Sequence, residues 1–430
     1  HSNGALHLGE IEGRLVPQQE AHHLQVQLSN STLTYEGQAY SIAGLAKGTI
    51  FGPIGSPEVL QIEGSELALN DFKTRIVGSI QSLPTPTLNL GLEIDGRLEQ
   101  ITTLHPQLQE LSGVIAGSMR LKGSPFQPDI KLDLSLTSFK YQQIPPIDLE
   151  LEGRYRNSHL QIEELQLKAP NGGHAQIKGN IELTKNYSAD LDATLHNASL
   201  GHILHAIGLP NAWVRAPLSG NIHARGNLFP IGLDTQLALS LSAFESLQGS
   251  YTDPKSTPIL QLRESTLNAE LSIHPDRLSI SRGVIQRGKS RLSLAGALHF
   301  NPHEGINIHF SSQKFNFKSI GSLAGIPFEG YGRIAGTLEG PSNDPIISAT
   351  TELSDFAIDD YYVGTTKATL IYSDLSLNIP RLAIRVGKGR ALGRGNLDFR
   401  TKLLETSGNL ELENIPVGPL LDTIILTKRN

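Results

Sequence analysis

The 430-residue chain has no cysteine, which excludes disulfides, thiol catalysis and cysteine-based zinc or iron–sulfur centres. It has one Trp and one Met, and aromatics make up only 6%. Charged residues are 18% and hydrophobic residues 38%, both below the usual globular share. The net charge of −6 argues against a nucleic-acid partner, which needs a clustered basic surface. No stretch approaches the roughly 18 apolar residues of a membrane-spanning helix, and no signal peptide is present. The opening His1-Ser2-Asn3-Gly4 lacks an initiator Met and reads as an excised or processed piece, with any anchor lying elsewhere.

Glycine (42) and proline (24), by contrast, are plentiful. At about 150 residues per domain, the length predicts roughly three domains or one elongated repeat structure. Alternation with period 2 dominates. Ile130, Leu132, Leu134 and Leu136 interleave with Asp129, Lys131, Asp133 and Ser135. The same pattern recurs at Leu88, Leu90, Leu92 and Ile94, and at Leu233, Leu237, Leu239 and Leu241. It returns at Ile306, Ile308 and Phe310, and at Leu375, Leu377 and Ile379. Neighbouring side chains on a strand point to opposite faces, so each segment has one aliphatic and one polar face. Gly, Asn and Pro clusters every 8 to 15 residues supply the turns. The chain is predicted to be all-β and antiparallel.

Helical spacing is confined to short interruptions. Leu98, Ile101, Leu104, Leu108 and Leu111 suggest one helix broken at Pro106, and Leu200, Ile203, Leu204 and Ile207 a second. Ile320 and Leu323 mark a third, and Val417, Leu420, Leu421 and Ile424 a fourth. These interruptions lie about 100 to 120 residues apart, which signals an internal repeat. The predicted boundaries are a partial β unit at 1–97, helix-led β units at 98–196, 197–314 and 315–414, and the start of another helix at 415–430. A Gly-rich strand opens each unit: Gly113, Gly117 and Gly123 before Pro128; Gly220 and Gly226 before Pro230; Gly330, Gly332, Gly336 and Gly340 before Pro345. Gly44, Gly48 and Gly52 before Pro57 form a partial copy. A second phrase closes the units around Gly179, Gly296 and Gly395. Recurrent strand glycines mark bends or bulges, so equivalent strands should curve alike. No linker separates the units.

This cycle of short Leu-rich helix, Gly-x-Ile-x-Gly strand, Gly-to-Pro turn and alternating strands resembles the AsmA-like superfamily of Gram-negative envelope proteins, in its TamB-like branch. Residues Gly117 to Leu136 and Gly336 to Leu353 carry the match best. The resemblance implies a fragment of an elongated antiparallel curled sheet, the β-taco groove, with an apolar interior and no enzymatic activity or cofactor. It also implies a periplasmic body with an inner-membrane anchor outside this piece, and phospholipid movement toward the outer membrane. TamB-like members further imply a link to the outer-membrane barrel TamA and to barrel assembly. An interaction protein that chaperones barrel strands through its open sheet edges is the alternative.

The aliphatic face suits acyl chains, which need an apolar wall and no polar handle. Burying methylenes at about 0.8 kcal/mol each gives a sixteen-carbon tail on the order of 10 kcal/mol. The expected groove-lining residues are Leu88, Leu90, Leu92, Ile130, Leu132, Leu134, Leu136, Leu237, Leu239, Leu241, Ile306, Ile308, Leu375 and Leu377. The same alternation would serve a β-sandwich whose faces pack on each other. The regular Gly bends and missing linkers favour the groove.

Other motifs carry less. Gly283-Val-Ile-Gln-Arg-Gly288-Lys289-Ser290 fits the P-loop pattern, but the following Arg291 to Gly296 alternates as a strand, where a P-loop must open a helix. It reads as a hairpin turn. His22 and His23 are adjacent and face apart, and His202 and His205 lack a third metal ligand, so no metal site is expected. Glu163 and Glu164, or Asp359 and Asp360, are neighbouring carboxylates expected to point apart on strands. No Gly-x-Ser-x-Gly elbow occurs, and the scarcity of Trp argues against a β-helix polysaccharide enzyme. The sequons at Asn30, Asn186 and Asn197 have no meaning in a bacterial envelope protein.

Overall fold

The computed structural model describes residues 4–7, 9–17, 21–35, 38–53, 58–82, 85–102, 111–141, 146–170, 172–206, 214–248, 250–301, 304–319, 322–323, 327–341, 345–358, 361–398, 400 and 405–415. Among these residues the chain is almost all strand. Helix is limited to Glu99–Thr102, Leu200–Ala206 and the single 3-10 turn Phe317–Ser319. Every recorded strand pairing is antiparallel, and the strands do not close into a barrel. The expected all-β, curled antiparallel architecture is what the chain adopts.

Contacts divide the chain into two units. The first is His1–Ala198 with Arg225–Phe229, and the second is Ser199–Ala224 with Pro230–Asn430. In the first, Val59–Leu69, Phe72–Gln81, Thr87–Arg97, Leu111–Ser124, Gln127–Tyr141, Ile147–Arg156, His159–Lys168, His174–Glu182 and Ser188–Ser199 pair each with the next. In the second, the run Ile231–Gln248, Thr257–Ile273, Arg277–Arg287, Ser290–His299, Ile306–Asn316, Phe328–Gly340 and Ile346–Ile358 does the same. It continues through Tyr361–Ser373, Ser376–Val386, Gly389–Asp398 and Glu405–Glu413.

Turn chemistry fixes the register. Asn157 and Ser158, at φ 50° and 61°, make the two-residue turn with positive φ at both centres that matches strand twist. Gly288-Lys289 and Gly387-Lys388 turn two further hairpins, with Gly at the positive-φ position in each. The P-loop-like run therefore ends in a strand–turn–strand, and no helix begins at Ser290.

Two devices curl the strands. Register slips recur, as between Ile162 and Leu165 and between Ile280 and Gly283, and each bulge bends its strand. Strand-interior glycines supply the second. Gly179 and Gly296 have φ of 147° and 145°, and a Cβ on either would lie 2.2 Å from the Asp190 oxygen or 2.1 Å from the Asn307 oxygen. Only Gly tolerates both that φ and that approach.

Of the first expected helix, Glu99–Thr102 is helical among the described residues and Leu111 opens a strand; of the second, Leu200–Ala206 is helical. Leu323 belongs to the two-residue strand Ser322–Leu323, paired to Leu260 and Gln261. Leu104, Leu108, Ile207, Ile320 and the whole 417–424 segment lie outside the described residues.

Candidate functional site: the apolar face of the sheet

Alternation places the expected lining residues on the sheltered side of the strands. Leu88, Leu90 and Leu92 are half-buried on Thr87–Arg97, with Asn89 and Glu93 exposed between or beside them. Ile130, Leu132, Leu134 and Leu136 are half-buried while Lys131, Asp133 and Ser135 are exposed. Cross-strand register joins them into rows. One row runs Ile76, Leu92, Met119, Leu132. The next runs Ile94, Gly117, Leu134, Leu151, Leu165, Ile177. Directly opposed residues share a face, so the first unit carries a continuous aliphatic surface.

In the second unit Leu237 is half-buried, and Leu239, Leu241 and Ile306 are 5–8% exposed. Ile308 and Leu377 are half-buried on the same kind of face, Ile308 opposite Gly296 and Leu338. Leu375 departs from the expectation: with Asp374 it forms the two-residue turn between Tyr361–Ser373 and Ser376–Val386, at φ 55°. It is a turn residue rather than part of a strand face.

The units differ in how far this face is covered. Among the described residues, the first unit has four buried apolar side chains (Leu98, Ile162, Ala189, Leu195) and the second has twelve. A dry sandwich would bury its aliphatic face throughout. The first unit leaves most of its Leu and Ile half-exposed.

The opposite face is polar and ionic. Arg75–Glu93 (3.6 Å), Lys168–Glu150 (2.7 Å), Arg282–Glu270 (3.4 Å) and Lys367–Glu352 (2.8 Å) are pairs between adjacent strands. Hydrogen bonds from Lys367 and Arg333 hold the Glu352 carboxyl below its ordinary pKa, and one from Arg154 does the same for Asp129. These exposed pairs contribute little stability each, but opposite charges across the ladder favour this register over a slip.

Glu163 and Glu164 do not point apart. The bulge puts Ile162 and Leu165 both on the apolar face, so the two carboxylates share the polar face, and Gln166 Nε2 donates to Glu164 Oε1 at 3.0 Å. Asp359 and Asp360 lie outside the described residues. His23 Nδ1 lies 2.9 Å from Thr49 Oγ1, which donates to Glu63 Oε1 at 2.5 Å. His202 and His205 both contact the Tyr251 ring. No cluster of three metal-ligating side chains occurs among the described residues.

The sequence pattern missed Leu121, Leu151, Leu165, Ile177, Leu267, Ile285 and Leu292, which extend the aliphatic rows. The bulges change the parity of Leu165 and Ile285 within their strands, so a search for uninterrupted alternation passes over them. No described helix is long and apolar enough to cross a membrane. A family model described as TamB, N-terminal domain, matches residues 137–367, just over half of the chain. No curated protein matches the chain.

Proposed function

We propose, because this chain belongs to the TamB family of envelope proteins, that its aliphatic face shelters phospholipid acyl chains on a path between the inner and outer membranes. The observation that carries this reading is the half-buried Leu and Ile surface of the first unit, with Leu92, Leu132 and Leu134 in cross-strand rows interrupted only by strand glycines such as Gly117. A bare aliphatic surface of this kind has no stable use in water alone. Acyl methylenes would cover it at about 0.8 kcal/mol each. The role is non-enzymatic, and the periplasmic setting and inner-membrane anchor are part of the same proposal.

The test is mass spectrometry of the purified protein for co-purifying phospholipid, with a Leu134→Asp variant beside it. Bound phospholipid that falls in the variant supports the reading. A lipid-free protein that also takes up none from vesicles overturns it.

A further inference from the structure

The second unit buries its apolar face more completely, and among its described residues five buried hydroxyls have no partner: Thr235, Ser265, Ser312, Thr351 and Thr366, of which the last three lie together. Ser312, Thr351 and Thr366 are 4%, 7% and 3% exposed, and none of their side-chain oxygens has a hydrogen-bond partner. Their places on the sheet are defined. Ser312 continues the face of Ile306, Ile308 and Phe310, and Thr351 lies between Ala349 and Leu353 on one face. Ser312 opposes Ile334, and Ile334 opposes Thr351, which puts the two hydroxyls in one cross-strand row. Thr366 opposes Leu353 in the next row, diagonal to Thr351 at about 7–8 Å.

A buried hydroxyl without a partner is unfavourable, and such groups call for a missing partner. Other buried hydroxyls find partners within the chain: in the second unit Ser256 Oγ donates to the Ser250 carbonyl, and Ser290 Oγ accepts from the Asn316 amide. Ser31 Oγ accepts from the Gly9 amide and donates to the Ser29 carbonyl, and Thr49 donates to Glu63. The Ser312, Thr351 and Thr366 hydroxyls lie on a face otherwise built of apolar residues, among them Phe310, Ile334, Ala349 and Leu353. An occupant that meets them must be apolar along its length and must carry isolated hydrogen-bond acceptors.

We propose that Ser312, Thr351 and Thr366 form a subsite for the ester carbonyls of a diacyl lipid, deepening the acyl-shelter reading on which it rests. The hydroxyls donate to the carbonyl oxygens while the aliphatic neighbours cover the chains. The occupant reaches them by parting those neighbours, since the oxygens are closed to water in the structure. This assigns the lipid class: ester-linked chains are held here in register, and ether-linked or free hydrocarbon chains slide past.

The experiment compares two probes on the delipidated full chain, dipalmitoyl phosphatidylethanolamine and its ether-linked dihexadecyl analogue, with binding read by titration. The expected result is an ester preference of about tenfold, equivalent to about 1.4 kcal/mol. A Ser312→Ala, Thr351→Val, Thr366→Val variant keeps the shape of the face, binds the ether probe as before and loses the preference. Its melting temperature should not fall, because the hydroxyls removed had no partners. If the variant does not fold, single Thr366→Val carries the same comparison with a smaller loss. Equal binding of both probes by the unmodified chain overturns the subsite and leaves the acyl-shelter reading standing. An ester preference that survives in the variant also overturns it. Binding of neither probe overturns both.

Discussion

Gly296 and Asn307 lie so close across the ladder that a Cβ on Gly296 would sit 2.1 Å from the Asn307 carbonyl oxygen. That contact, with φ at 145°, excludes every residue but Gly from the bend. Gly296→Ala should lower stability by about 3 kcal/mol, seen as a shift of the urea midpoint. Gly288→Ala, at φ 53° with open space around it, should cost about 1 kcal/mol. Equal effects would mean that the bend is not held by this approach.

Charge placed on the aliphatic face should separate its open and closed parts. Leu134 is half-exposed, so in Leu134→Asp the carboxylate reaches water and the protein folds with a modest loss. Leu239 is 6% exposed, so Leu239→Asp buries an unpaired carboxylate at a cost of several kcal/mol. Ser240→Asp, on the exposed face of the same strand, should change neither folding nor bound lipid. Thermal melts of the three variants, with lipid mass spectrometry on the folded ones, provide the check. A Leu134→Asp protein as unstable as Leu239→Asp would mean that the first unit's face is also dry.

The Gly-Lys-Ser run provides a negative control. Lys289 sits in a two-residue turn beyond Gly288, so Lys289→Ala should leave the melt unchanged, and ATP with magnesium should not raise it. A ligand at 100 times its dissociation constant adds about 2.7 kcal/mol, well above detection. A clear upward shift would contradict the turn assignment.

Stability should depend on pH through His202. Burial first, and the neighbouring His205 charge second, hold its pKa below the ordinary value. As pH falls through about 6.5, the unfolded chain takes up this proton before the folded one does. The folded state therefore loses stability on acidification through that range, and His202 contributes nothing above it. The melting temperature should fall between pH 7.5 and 5.5, and His202→Gln should flatten part of that fall. An unchanged slope in the variant would remove His202 as the cause.

Fold class was readable because alternation is a direct print of the pleat. Leu88–Leu92 and Ile130–Leu136 each keep strict parity and lie where that parity puts them. Where parity breaks, reading fails for a physical reason. A bulge inserts one residue and exchanges the faces beyond it, which hid Leu165 and Ile285 and brought Glu163 and Glu164 to one side. Leu375 kept the right spacing but fell on a turn, because Asp374 and Leu375 adopt positive φ together. The unpartnered Thr351 and Thr366 hydroxyls had no sequence signal at all. A Thr in a strand reads the same whether its hydroxyl meets water, backbone or nothing.

Nearly every strand here pairs with the one that follows it in the sequence, so contacting residues are rarely more than a hairpin apart. Such a chain has a low relative contact order for an all-β protein, and little loop-closure entropy opposes each pairing. A growing edge can accept each new hairpin as it is synthesised, without waiting for distant segments. Ser322–Leu323 departs furthest from this rule, returning to Leu260 and Gln261. That clasp can form only after the three intervening strands, Arg277–Arg287, Ser290–His299 and Ile306–Asn316, are laid down, so it closes a longer loop than a single hairpin does.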